Sequence, residues 1–110
     1  GTTLEASQLP QDVFGYFLAS PMRGFTFPVT GSQGLLCLGS PIGRFLGPGQ
    51  IMNTGSTGTM TLAVDPAALA SPGGLVQAGF GDSWNFQAWH RDANPGGTSN
   101  FTSAVSVRFY

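Results

Sequence analysis

Apolar and polar residues alternate along most of this chain, and a period of two is typical of β-strands with one buried face. Residues 57–64 (TGTMTLAV) place Met60, Leu62 and Val64 on one face and smaller residues on the other. Residues 83–91 (SWNFQAWHR) alternate in the same way. One face of this second segment carries Trp84, Phe86 and Ala88, and the opposite face carries Asn85, Gln87 and Trp89.

Other segments complete a predicted set of short strands. Residues 13–19 (VFGYFLA) are apolar on both faces, which predicts a central strand that is covered on two sides. Residues 24–29 contain Pro28, which cannot donate to a ladder, so an edge or short strand is predicted there. The remaining predicted strands are 2–7, 35–38, 45–46, 50–53 and 101–110, the last with Val105, Val107 and Phe109 facing inward.

One short segment has helical signals. Asp65 is a suitable N-cap, and Pro66 suits the first helical position. The segment ends at Ala70, because residues 71–74 (SPGG) are turn formers. A single helical turn over 66–70 is therefore predicted.

These elements predict an all-β fold, specifically an immunoglobulin-like β-sandwich of about seven or eight short antiparallel strands. Turn residues separate the strands roughly every 8–12 positions, as in such sandwiches. With 110 residues, the chain is expected to form a single domain spanning residues 1–110. Trp84, Met60 and Val107 are predicted to share its interior.

The charge content is low and bears on possible partners. Only 8% of the residues are charged, against about 25% in a typical soluble domain. The net charge is −1 and there is no lysine, so no electrostatic field would recruit nucleic acid. Lysines often protect exposed sheet edges from pairing with other chains. Their absence favours a homo-oligomer or polymer formed through sheet edges, or packing against neighbouring domains.

The chain has no apolar run of the ~18 residues needed to span a membrane and no signal peptide, so membrane insertion is not expected. No arrangement for catalysis is recognised either. His90 and Arg91 are neighbours on a strand, so they point to opposite faces and do not converge on one site. Asp65 and Asp82 have the sequence context of turn or capping residues rather than of a carboxylate pair. The chain is therefore predicted to be non-catalytic, with no catalytic residues and no cofactor.

Carbohydrate binding is the main ligand hypothesis. Asn85, Gln87 and Trp89 lie on one face of one predicted strand, where an aromatic ring flanked by amides would stack on a polysaccharide. The competing interpretation is that Trp89 packs inside the fold, as most tryptophans do. A weaker alternative is calcium bound by Asp92 and Asn94, since calcium prefers oxygen ligands, although an Asx turn explains the same spacing.

The single cysteine, Cys37, cannot form a disulfide within the chain. It lies in an apolar run, which favours a buried thiol. A cross-link to a cysteine outside the chain is the alternative.

Four stretches together resemble a module found at the C-terminal ends of large secreted proteins of environmental bacteria. They are Gly15–Leu18, Gly31–Gly39 with Ile42–Phe45, Trp84–Trp89 with Arg91 and Asp92, and Thr98–Thr102. The layout of the last third is also similar to that of fibronectin type III and other immunoglobulin-like domains. The resemblance implies a secreted, extracellular or cell-surface β-sandwich and supplies no active-site residues. Relatives tend to carry further sequence upstream, including another cysteine, which implies that this chain is either a shorter variant or lacks its first strand. A missing first strand would leave a sheet edge open.

Overall fold

The computed structural model describes residues 2–26, 36–79, 81–92, 98–102 and 104–109. These residues form β-strands and one 3-10 turn at Gly55–Thr57, and no α-helix occurs among them, which confirms the predicted all-β class. The strands are β1 (Thr2–Ala6), β2 (Phe14–Ser20), β3 (Arg23–Thr26), β4 (Leu36–Leu38), β5 (Gly43–Arg44), β6 (Met52–Asn53), β7 (Met60–Val64), β8 (Leu69–Ser71), β9 (Gly74–Val76), β10 (Ser83–Asp92), β11 (Thr98–Phe101) and β12 (Val105–Arg108).

A six-stranded antiparallel sheet forms the centre of the molecule. Its longest strand, β10, pairs along six residues with β2, as expected for the segment that is apolar on both faces. The other edge of β10 pairs with β11 and then with β12, whereas the other edge of β2 pairs with β5 and β6. The sheet therefore runs from β11 and β12 at one side to β5 and β6 at the other.

The core lies between one face of this sheet and a second layer. That layer contains the antiparallel pair β1–β7 and the hairpin β8–β9. Side chains from both layers form one buried cluster, with Trp84, Phe86 and Phe17 from the central sheet and Met60 and Leu69 from the second layer. Val107 is half-buried against this cluster, so the predicted shared interior of Trp84, Met60 and Val107 is confirmed.

The opposite face of the central sheet is covered at one end by the hairpin β3–β4. The backbone N–H of Cys37 in β4 donates to the Gln87 side chain, and the hydroxyl of Ser20 donates to the carbonyl of Gly39. Leu38 and Leu18 are buried on this side. Both faces of β2 and β10 are thus packed, which explains the apolar character of the central strand on both sides.

The region after β7 differs from the sequence prediction. The predicted helical turn over 66–70 is wrong, because Leu69–Ser71 is strand β8 and pairs with β9. Asp65 nevertheless caps a turn, since its Oδ1 accepts a hydrogen bond from the N–H of Ala67 at 2.9 Å. The local signals were those of a capped turn, and the turn continues into a strand rather than a helix.

The predicted final strand over 101–110 is interrupted. Phe101 pairs with Trp89, whereas Val105 pairs with Phe86, so four steps along the chain face three steps along β10. This one-residue shift in register reverses the faces on either side of it. Val105, Val107 and Phe109 keep the predicted inward orientation, but Phe101 faces away from the core.

Smaller differences affect the short strands. Residues 57–59 precede β7 as turn and loop rather than strand. The strand predicted at 45–46 is wrong, because the strand in this region is β5 at Gly43–Arg44, and the strand predicted at 50–53 is reduced to β6 at Met52–Asn53. Part of the predicted strand 24–29 lies beyond Thr26, outside the described residues. Within the described part of the chain, the structure contains no helix with the length and apolar character that a membrane crossing requires.

Candidate functional site

The three residues predicted to form a carbohydrate platform lie on one face of β10 and differ in how far they are exposed. Asn85 and Gln87 are buried, with 5% and 2% of their surface exposed, whereas Trp89 is half-buried. The Asn85 amide donates to the carbonyl of Ser20 at 3.2 Å, and its Oδ1 accepts from the Ser106 hydroxyl at 2.5 Å. The polar groups of Asn85 therefore bind other parts of the chain.

Gln87 has an equally internal position. Its Oε1 accepts a hydrogen bond from the backbone N–H of Cys37 at 3.0 Å, and its Nε2 donates to the carbonyl of Thr102 at 2.6 Å. Gln87 therefore connects β10 both to the hairpin β3–β4 and to the segment that follows β11. Gln87 thus links parts of the fold, and Trp89 is the one residue of the predicted three with substantial exposed surface.

Trp89 belongs to a row of aromatic side chains that crosses three neighbouring strands. In the antiparallel register Trp89 lies opposite Phe101 of β11 on one side and opposite Tyr16 of β2 on the other. Directly paired residues point to the same face, so the three rings share the face away from the core. All three are half-buried. The ring centroids of Tyr16 and Trp89 are 5.0 Å apart in a stacked arrangement.

Arg91 supplies a charged group beside this row. It follows Trp89 by two residues on β10, and its guanidinium carbon lies 5.3 Å from the centroid of the Trp89 ring. This is within the distance of a cation–π interaction. We call Tyr16, Trp89 and Phe101 the aromatic row. With Arg91 beside it, the aromatic row offers both stacking surfaces and hydrogen-bond donors.

Tyr16 and Phe101 were not singled out from the sequence. Alternation within each segment gives the face of a residue relative to its own strand, and does not identify the neighbouring strand. For Phe101, the one-residue shift in register between Phe101 and Val105 also reverses the face that a continuous strand would give it. The position of Phe101 opposite Trp89 is therefore a product of strand pairing.

The remaining candidate residues do not assemble into a recognisable site. His90 is buried on the core side of β10, with Nδ1 3.0 Å from the carbonyl oxygen of Arg91, while Arg91 itself is exposed on the other face. Asp92 ends β10 opposite Thr98, and Asn94 lies outside the described residues. No group of three or more potential metal ligands of the His, Cys, Asp or Glu type occurs within the described ranges.

Cys37 is half-buried in β4, which is close to the predicted buried thiol. Its N–H is used in the contact to Gln87. Because the sequence holds no second cysteine, a disulfide would require a cysteine from another chain or from further sequence.

A groove of about 430 Å³ opens between β1 and β12. Its floor is the core face of the central sheet, where Phe17, Phe86 and Val107 contribute apolar surface. Val105 lies on the same face, because it pairs with the core residue Phe86, yet 51% of its surface is exposed. None of the described strands covers this part of the sheet.

Strand β1 forms one wall of the groove. It pairs with β7 along one edge, and no ladder among the described residues uses its other edge. Leu4 and Ala6 are buried in the core, whereas Thr3 and Glu5 are exposed beside the groove. We call this region the β1 groove. It combines an unpaired strand edge with an uncovered apolar floor.

Comparisons of the chain with protein-family models, with curated proteins and with solved structures found no significant match to any of them.

Proposed function

We propose that this chain is a non-catalytic structural or adhesive module that associates with copies of itself, or with neighbouring domains, through sheet edges. The β1 groove carries the proposal. Val105 faces the core side of the central sheet and is half exposed, and no strand among the described residues continues the second layer past β1. A strand added beside β1 would cover this side chain and would use the free edge at the same time. Addition of a strand to an exposed edge is a common mode of protein association.

The composition supports the same proposal. With 8% charged residues and no lysine, the surface has few of the charges that keep sheet edges apart. Seven large hydrophobic side chains are exposed among the described residues, and Leu75 at 71% is the most exposed of them. Polymerisation into an extracellular fibre would cover part of this surface.

We further infer an immunoglobulin-like sandwich and a secreted or cell-surface location. Two facing layers around one aromatic core, with the long β10 preceding β11 and β12, support the architecture. The location rests on the resemblance of residues 15–18, 84–89 and 98–102 to C-terminal modules of secreted bacterial proteins.

The native mass of the purified chain tests self-association. We expect polymers at neutral pH, visible by negative-stain electron microscopy and as a mass in light scattering that rises with protein concentration. Strand addition needs no thiol, so the same mass is expected with and without a reductant. A single monomeric mass over a hundredfold range of concentration would contradict self-association. Loss of the polymer on reduction would instead point to cross-linking through Cys37.

The second candidate function is carbohydrate binding, and the aromatic row is the observation that favours it. Three half-buried rings in register across β11, β10 and β2 present an extended aromatic strip, with Arg91 at its side. Sugar rings stack on such strips and accept hydrogen bonds from a neighbouring guanidinium. On this hypothesis Trp89 acts with Tyr16 and Phe101 rather than with Asn85 and Gln87.

The Trp89→Leu variant tests this function, because leucine keeps apolar bulk on the sheet and removes the aromatic face. If the row binds a polysaccharide, affinity electrophoresis should show about tenfold weaker retention, the equivalent of about 1.4 kcal/mol. The control is Ile51→Ala, an exposed apolar position outside the row, which should retain full binding. Far-UV circular dichroism confirms that both variants are folded. Equal retention of wild type and Trp89→Leu would exclude a role for the row.

A further inference from the structure

We propose that the polysaccharide bound at the aromatic row is anionic, and that Arg91 recognises the carboxylate groups of its uronic acid units. This inference rests on the proposed carbohydrate binding and names the chemical class of the ligand. The observation that carries it is the guanidinium of Arg91, which is stacked over Trp89 and is exposed.

The guanidinium of Arg91 is held in place by its aromatic neighbour. Its central carbon lies over the Trp89 ring, 5.3 Å from the centroid, and Trp89 is in turn stacked on Tyr16. Stacking covers the flat face of a guanidinium, whereas its N–H groups lie in the plane of the group and stay available. A side chain that is already positioned loses less conformational freedom when it binds a ligand. Arg91 is therefore preorganised as a donor.

The charge of Arg91 is not neutralised within the described part of the chain. There the guanidinium forms no ion pair with a carboxylate and donates no hydrogen bond to the protein. Two of the other three arginines are used inside the fold. Arg23 donates to the hydroxyl of Ser106 at 3.2 Å, and Arg108 donates to the carbonyl of Gly81 at 3.2 Å. Arg91 thus combines a fixed position with unused donors.

A carboxylate is the ligand group that suits such an arginine. Two neighbouring N–H groups of a guanidinium match the two oxygens of a carboxylate, and the hydrogen bonds are strengthened by both charges. A neutral sugar hydroxyl accepts only a single, weaker bond. A uronic acid unit carries its carboxylate at the edge of the sugar ring and presents C–H groups on the face of the ring. It therefore has one part for the guanidinium and one part for an apolar surface.

The register of the strands places these two surfaces side by side. Arg91 follows Trp89 by two residues on β10, so both lie on the face away from the core, about 7 Å apart along the strand. Phe14 precedes Tyr16 by two residues on β2, lies on the same face and is 56% exposed. One sugar unit can therefore contact an aromatic ring and the guanidinium together.

The rest of the chain adds little attraction for anions. It has four arginines, no lysine and a net charge of −1, so it does not attract polyanions over a long range. Selectivity for an anionic polysaccharide would then depend on the local contact with Arg91. Removal of this one side chain should abolish the selectivity.

Polygalacturonate and alginate, each as the free acid and as the methyl ester, test the inference, because esterification removes the charge and keeps the sugar backbone. Isothermal titration calorimetry at physiological salt should show that the wild type binds one of the acids at least about tenfold more tightly than its ester. Arg91→Met should bind acid and ester equally, and Arg91→Lys should lose several-fold in affinity for the acid, because lysine lacks the planar pair of donors. Arg44→Met, the same change of charge at an exposed position in β5, is the control and should keep the preference. Far-UV circular dichroism checks that each variant is folded.

The outcomes separate this inference from the proposed carbohydrate binding. Equal affinity of the wild type for acid and ester, with weaker binding of both by Trp89→Leu, would overturn the anionic class and leave carbohydrate binding in place. Binding to neutral xylan and to neither acid would have the same meaning. Equal affinity for dextran sulfate, or an Arg91→Lys variant as tight as the wild type, would show attraction by charge alone and overturn the recognition of a carboxylate. If no polysaccharide binds, both proposals fail.

Discussion

At the scale of single residues, the buried side chain of Gln87 joins two backbone segments that are distant in sequence. It accepts a hydrogen bond from the N–H of Cys37 in β4 and donates one to the carbonyl of Thr102 after β11. When a buried backbone group loses its hydrogen-bond partner, the free energy of removing that group from water is no longer offset by a hydrogen bond. Gln87 therefore matters for stability, whatever ligand the chain binds.

The Gln87→Leu variant should lower the free energy of unfolding by about 1–3 kcal/mol, because leucine fills a similar volume and supplies neither hydrogen bond. Urea denaturation at a fixed protein concentration measures this change, since association would shift the apparent stability. Gln77→Leu is the matched control at an exposed position and should change stability by less than about 0.5 kcal/mol. Equal effects of the two substitutions would show that the Gln87 hydrogen bonds contribute nothing.

At the scale of elements, strand β5 passes directly beneath β8, and Gly43 makes this approach possible. A Cβ atom at Gly43 would overlap the backbone carbonyl of Ala70 and the backbone nitrogen of Ser71. Backbone atoms cannot move aside as a flexible side chain can. The position of the β8–β9 hairpin therefore depends on the absence of a side chain in β5.

The Gly43→Ala variant should be destabilised by about 1–3 kcal/mol or more, as is typical of overpacking in a closely packed region. The control is Gly73→Ala in the turn between β8 and β9, where an added methyl group meets nothing within 4 Å. This control should unfold at nearly the wild-type temperature. A differential scanning calorimetry trace that gives the same Tm for both variants would contradict the close approach of β5 and β8.

At the scale of the whole molecule, the strands differ in how well they are held. Strands β2 and β10 are paired on both edges and packed on both faces, whereas β1 and β9 are paired on one edge among the described strands. Hydrogen exchange reports such differences, because amides in weakly held strands open without unfolding of the rest.

We expect amides of β2 and β10 to exchange slowest in the monomer and those of β9 to exchange fastest. On polymerisation through the β1 groove, new protection should appear in peptides that cover residues 2–6, because this edge becomes paired. Mass spectrometry at low and high protein concentration gives this comparison. The Val105→Asp variant should show no change with concentration. New protection confined to β3 and β4 would place the junction elsewhere.

Much of the architecture is predictable from local pattern. Alternation located β1, β7 and β10 within a residue or two, except that the first three residues of the predicted 57–64 strand form a turn. The same pattern put Trp84 and Met60 in the core. A run that is apolar on both faces located β2. Asp82 was correctly expected in a turn, since its Oδ2 accepts from the N–H of Gly79 at 2.7 Å. The helical turn at 66–70 failed because a capped turn looks the same whether a helix or a strand follows.

The sequence by itself determined the all-β class, the positions of the longer strands β1, β2, β7 and β10, and which faces of these strands are apolar. It could do so because side-chain alternation is a property of one strand and needs no partner. Only the tertiary structure decided which strands are neighbours. That choice buried Asn85 and Gln87 beneath β3–β4, aligned Tyr16 and Phe101 with Trp89, and left Val105 uncovered beside β1. These features depend on pairing between distant segments, and for Phe101 and Val105 also on a one-residue shift in register. Neither leaves a periodic signal in the chain.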